Sequence, residues 1–110
     1  MTSRSVRRGE VCLVSLAPTR GGELRKTRPC VIVPSAELNA YLRTFTVAPL
    51  TTGGHPYPFR VPCRLRRRAG HVVLDQIRTV DHERLVRRVG RLTPAALSQV
   101  LQALQEMFAE

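Results

Sequence analysis

The sequence predicts a small, β-rich α+β domain, and three observations carry that expectation. Short apolar runs recur at residues 11–16, 30–33, 44–48, 72–74 and 85–91, each of strand rather than helix length. Glycine and proline punctuate the stretches between them. Apolar spacing of helical period is confined to the C-terminal stretch, where Leu97, Val100, Leu101, Leu104 and Phe108 fall on one stripe. A chain of 110 residues is one domain with a modest core.

Taken in order, residues 1–8 are polar and basic and are expected to be frayed or disordered. Residues 9–16 read as a strand, with Val11, Leu13 and Ser15 on one face and Cys12, Val14 and Leu16 on the other. Residues 18–27 form a mobile loop containing one proline and two glycines. Residues 29–33 make a second strand, with Pro29 first, where a missing N–H is tolerated. Ser35 caps a short helical turn over 36–41. Residues 44–48 form a third strand that Pro49 is expected to stop, and 52–58 a second loop. Prolines around Phe59 and Cys63 mark an edge strand over 59–63, with Phe59 directed to the core. A basic turn follows at 64–70, a buried strand at 72–74, a polar turn or brief helix at 77–84 and a final strand at 85–91. Thr93 then caps a helix with Pro94 at its first position.

Composition narrows the function classes. Lys and Arg number 18 against 8 Asp and Glu, giving a net charge of +10, and every basic residue except Lys26 is arginine. Such a domain favours a polyanionic partner, because neutralising phosphates releases condensed counterions, and arginine adds a planar fork suited to phosphate and base edges. An acidic protein partner fits the same charge. No apolar run is long enough to span a membrane, and the basic N-terminus lacks the apolar core of a secretory signal, so a cytoplasmic protein is expected. Cys12 and Cys30 lie inside apolar runs and read as small core residues, whereas Cys63 beside the basic run is expected to be exposed.

Polar groups collect at three strand ends: Gly21-Gly22-Glu23-Leu24-Arg25-Lys26-Thr27-Arg28-Pro29 running into Cys30, then Ala48-Pro49-Leu50-Thr51-Thr52, then Asp75-Gln76-Ile77-Arg78-Thr79-Val80-Asp81. Polar residues gathered on one scaffold end are how a small β domain builds a site. With Tyr57-Pro58-Phe59 between the second and third, and Arg8-Gly9-Glu10-Val11 at the start, these segments resemble the MazF/PemK (Kid) family of toxin endoribonucleases. The resemblance implies an SH3-like, partly closed β-barrel with a C-terminal helix, the CcdB/PemK-like fold. It also implies sequence-specific cleavage of single-stranded RNA leaving 2′,3′-cyclic phosphate and 5′-OH ends, a homodimer, and inhibition by an acidic, partly disordered antitoxin of MazE type.

No cofactor and no metal are expected, because the carboxylates are dispersed and His55, His71 and His82 lack the spacing of an acid–base pair. Cleavage then rests on positioning and charge stabilisation. Arg28 matches the arginine of the family's Arg-Pro motif, which implies contact with the scissile phosphate. Thr51 matches the threonine after Pro-Leu, a hydroxyl able to donate to a non-bridging oxygen. Glu23 occupies the family's loop position for a carboxylate, although Gly22 and Leu24 replace the usual Ser and Gln. Asp75 and Gln76 are expected to read base edges. Arg25, Lys26, Thr52 and Arg78 are expected to line the RNA path, with Tyr57 stacking a base. Two other functions remain open on the sequence: a gyrase-poisoning toxin of the CcdB kind, and an RNA-binding module that does not cut.

Overall fold

Alternating β-branched residues in adjacent strands bury both faces of one sheet. The computed structural model describes residues 6–16, 27–53 and 58–110. Its elements are β1 (Glu10–Ser15), β2 (Thr27–Ile32), α1 (Ala36–Tyr41), β3 (Thr44–Thr52), β4 (Arg60–Leu65), β5 (Arg68–Val73), β6 (Arg78–Asp81), β7 (Leu85–Arg91) and α2 (Pro94–Met107). Short 3₁₀ turns occupy Leu74–Gln76 and His82–Arg84. The strands are antiparallel in the order β4-β5-β3-β2-β1-β7, with β6 also paired to β3.

One cluster joins Val11, Val31, Ala48, Leu50, Val61 and Val72 to Val100 of α2. The other joins Cys12, Val14, Cys30, Ile32, Phe45, Val47 and Val80. The expected two faces of β1 therefore each serve a separate core. The mainly-β antiparallel sheet with a C-terminal helix is the expected architecture. Its two outer strands, β4 and β7, share no ladder among the described residues. They meet through side chains: Leu65 Cδ1 lies 2.6 Å from where a Cβ on Gly90 would sit, and Arg66 Nε donates to the Val89 carbonyl at 3.2 Å.

Both helix starts follow their caps. Ser35 Oγ accepts from the Leu38 N–H and Thr93 Oγ1 from the Ala96 N–H. Leu97, Leu101 and Leu104 pack on the first cluster around Val100, but Phe108 lies at the C-cap and is 73% exposed, outside the predicted stripe.

Several expectations are corrected. Residues 6–8 are tethered rather than frayed: Val6 is 1% exposed, Arg7 N–H donates to Glu10 Oε1, and the exposed Arg8 donates from Nε to the Val33 carbonyl at 2.9 Å. Pro49 does not stop β3. The Thr46 carbonyl accepts from Val33 N–H, so alternation turns Ala48 toward β2 and Pro49 toward the opposite edge. There its missing N–H falls in the gap between β6, paired to residues 44–47, and β5, paired to residues 50–52. The basic turn at 64–70 is a hairpin: β4 runs through Leu65, β5 begins at Arg68, and only Arg66 and Arg67 turn, both at positive φ. Two-residue hairpins demand that conformation, usually of Asn and Gly, so arginines there are strained. The polar segment at 77–84 contains strand β6, recruited by the first half of β3. Phe59 sits in a turn at φ 62 and is 38% exposed, so it is not core.

Cys63 is buried, not exposed, because it lies on the inward side of β4 in the first cluster. Burial pushes the Cys12 thiol up to about 11 and the Cys30 thiol up to about 12 from an ordinary 9.0. Both thiols therefore stay neutral in the folded chain while the unfolded chain ionises them. Their contribution to stability is intact below pH 9.0 and is lost as pH rises toward about 11 and 12. Urea unfolding at stepped pH is expected to show midpoints falling across that window, and the native thiols are expected to resist Ellman's reagent at pH 8 until the chain unfolds. Prompt modification of Cys12 or Cys30 in the native protein would contradict this burial.

Candidate active site

The candidate site forms where β2, β3 and β5 come side by side. On β2, Cys30 and Ile32 enter the second cluster, so alternation puts Arg28 on that face. On β3, Phe45 and Val47 enter the same cluster, and the pairings show no irregularity. Thr51 therefore shares the face of Arg28. The β2–β3 register runs Ile32↔Val47, Val31↔Ala48, Cys30↔Pro49; continued two residues, it sets Arg28 opposite Thr51.

Arg28 is half-buried, and its carbonyl accepts from Cys30 Sγ at 3.6 Å. Arg78 on β6 is opposite Val47 and takes the same face. Burial is the main cause of the raised Cys30 thiol, and the Arg28 and Arg78 charges act against it. Two arginine charges far apart in sequence thus act on one thiol.

The Thr52 side chain points the other way by alternation, and both Thr51 and Thr52 line a cleft of about 350 Å³ with Pro29, Leu50, Leu65, Arg66 and Arg68. That cleft has an apolar floor and an arginine rim. Gly70 lies beside it, and a Cβ there would overlap the Thr51 carbonyl oxygen. Only glycine lets β5 press against the end of β3 at this point.

Asp75 and Gln76 are exposed on the 3₁₀ turn that bridges β5 and β6 along the same edge of β3. Asp75 is held by Arg60, whose Nε donates to Oδ1 at 3.3 Å and Nη2 to Oδ2 at 3.5 Å. Glu23, Arg25, Lys26 and Tyr57 lie outside the described residues. Of the remaining arginines, Arg64 donates to the Arg67 carbonyl and Arg84 to the Ser15 carbonyl, while Arg88 pairs with Glu10. Among the described residues no three His, Cys, Asp or Glu side chains gather as a metal site.

Sequence reasoning missed Gly70, Arg60 and His71. His71 is opposite Thr51 in the β3–β5 ladder, and its Nδ1 lies 2.7 Å from the Gly53 carbonyl oxygen. The only signal that finds them is the pairing of β5 with the end of β3, which local pattern does not contain.

Residues 7–108 match the PemK-like, MazF-like toxin family of type II toxin–antitoxin systems. The chain is 36% identical to endoribonuclease MazF9 of Mycobacterium tuberculosis over 110 aligned positions, covering 91% of this chain and 93% of that protein. It is also 36% identical to endoribonuclease PemK of Escherichia coli, covering 92% and 80%. Among solved structures, a mycobacterial endoribonuclease in complex with its cognate antitoxin superposes with a TM-score of 0.77 at 25% identity, over 91% of each chain. This chain therefore belongs to the MazF/PemK-like family of toxin endoribonucleases of type II toxin–antitoxin systems.

Proposed function

We propose that the protein cuts single-stranded RNA at a short sequence motif, without a metal ion, through attack of the ribose 2′-OH on the adjacent phosphorus. The products are a 2′,3′-cyclic phosphate and a 5′-OH end. This reading is supported by the β2–β3 register, which, continued two residues beyond Cys30↔Pro49, brings Arg28 toward Thr51 on one face of the sheet. A guanidinium and a hydroxyl so placed can hold the non-bridging oxygens of a phosphodiester and stabilise the charge that grows on them. Arg78 on the same face extends the cationic path, and Thr52 with the arginine-rimmed cleft offers a place for a neighbouring nucleotide. Asp75, held by Arg60, and exposed Gln76 present acceptors and an amide to base edges.

The partner that silences it is an acidic antitoxin, since an acidic peptide competes with RNA for a chain of net charge +10. The mycobacterial relative solved with its cognate antitoxin supports that assignment. A homodimer is supported by the exposed apolar side chains of Leu38, Tyr41 and Leu42 on and after α1, and the working compartment is the cytoplasm.

The test is incubation of the purified protein with a long single-stranded RNA in EDTA, followed by mapping of new 5′ ends. Cuts at one short motif, with cyclic phosphate on the upstream product, are the expected result. Bound but intact RNA would replace this reading with a binding module, and neither binding nor cutting would favour a toxin acting on another target.

A further inference from the structure

One histidine stands in the row of site residues without a role in the reaction as described so far. His71 is directly opposite Thr51 on one side and Pro62 on the other. Opposed residues share a face of the sheet, so His71 lies on the face that carries Thr51 and Arg28. With the β2–β3 register continued past Cys30↔Pro49 and Thr51 paired to His71, the order across β2, β3 and β5 is guanidinium, hydroxyl, imidazole. A phosphodiester lying over Thr51 has Arg28 on one side and His71 on the other.

The ring is also oriented. Its Nδ1 is 2.7 Å from the Gly53 carbonyl oxygen, and a carbonyl only accepts, so Nδ1 carries the hydrogen in this bond. In the neutral ring the lone pair then resides on Nε2. Among the described residues Nε2 has no hydrogen-bond partner. The acceptor is itself anchored, because the Gly53 N–H donates to the Ala69 carbonyl at 3.3 Å and Gly53 adopts φ 66. A histidine held by one nitrogen with the other left open beside the expected phosphate position has the form of a general base.

We propose, resting on the ribonuclease reading above, that His71 is the base that deprotonates the ribose 2′-OH. Neutral Nε2 takes the 2′ proton as the O2′–P bond forms. The P–O5′ bond breaks with its electron pair going to O5′, which takes a proton from a water molecule. The resulting hydroxide removes the proton from Nε2 and restores the neutral ring. Thr51 and Arg28 act on the non-bridging oxygens throughout.

Three variants separate this role from a structural one. His71→Gln keeps an N–H for the Gly53 carbonyl but cannot accept the proton; His71→Ala opens space for added imidazole; Arg28→Ala is the control. Cleavage is measured in single turnover, affinity with a 2′-O-methylated copy of the same RNA that cannot be cut, and folding by thermal unfolding. His71→Gln is expected to slow cleavage about 100-fold or more while affinity stays within about threefold. Imidazole is expected to raise the His71→Ala rate at least about tenfold and leave Arg28→Ala unchanged. Cleavage by His71→Gln within about threefold of the parent rate overturns the proposal. So does a loss in His71→Ala that imidazole does not restore, which makes the histidine a tie for the Gly53 backbone. A parent protein that cuts no RNA overturns the ribonuclease reading and this inference with it, whereas a cutting parent with an unaffected histidine variant overturns the inference alone.

Discussion

Replacing Arg28 with alanine is expected to abolish RNA cleavage and leave the protein folded. The side chain is half-buried and has no hydrogen bond or ion pair among the described residues; the contact the residue does make, acceptance from Cys30 Sγ, uses its backbone carbonyl and survives the substitution. Stability is expected to change by no more than about 1 kcal/mol. Activity is another matter, because loss of a donor aimed at developing charge costs about 10²–10³-fold or more in rate. Arg28→Lys is expected to recover only part of that loss, since a point charge cannot engage two phosphate oxygens in one plane. Single-turnover cleavage beside a thermal unfolding curve checks both halves. Undiminished cleavage by Arg28→Ala would remove this residue from the reaction.

The largest expected loss of stability comes from Arg88→Ala on β7. Glu10 is 1% exposed; one of its carboxylate oxygens accepts from the Arg7 N–H at 2.6 Å and the other pairs with the Arg88 guanidinium. Arg88 itself is 49% exposed along its side chain. The pair is therefore asymmetric. Removing the arginine leaves a buried carboxylate with one backbone donor, at an expected cost of about 3–5 kcal/mol and a Tm lowered by roughly ten degrees or more. Glu10→Gln keeps an acceptor for the Arg7 N–H and leaves an arginine that reaches water, so it costs only about 1–2 kcal/mol. The double variant is expected to be more stable than Arg88→Ala alone, because the unpaired charge is gone. An Arg88→Ala variant within about 1 kcal/mol of the parent would mean that the carboxylate reaches water by local rearrangement. Residues 6–9 depend on the same pair. Arg7 is tied to Glu10, and Gly9, at φ 89, donates to the Ile32 carbonyl, which is how residues expected to fray come to close over the second cluster.

Elements with signals inside their own segments were legible. Helix α1 follows its Ser35 cap, α2 follows Thr93-Pro94, and β7 covers residues 85–91 as expected. Strand β6 was not legible, since Arg78, Thr79 and Asp81 are exposed and Val80 alone is buried. It is a strand only because the first half of β3 offers it a free edge. The hairpin was hidden for the opposite reason: Arg66 and Arg67 carry none of the residue chemistry that marks such a turn, and the ladder between β4 and β5 imposes it.

By itself the sequence determined the β-rich class, the strong positive charge, the capped C-terminal helix and, through the Arg28-Pro29 and Pro49-Leu50-Thr51 segments, the family and two residues of its candidate site. Those are properties of short segments and of composition, which act locally or by summed charge. Tertiary structure decided which residues stand beside which. The passage of Pro49 through β3, the overlap that keeps Gly70 a glycine, the grip of Arg60 on Asp75 and the alignment of His71 with Thr51 all depend on strand register. Register is set by burying two apolar clusters on opposite faces at once, because a one-residue slip would exchange the faces of every side chain.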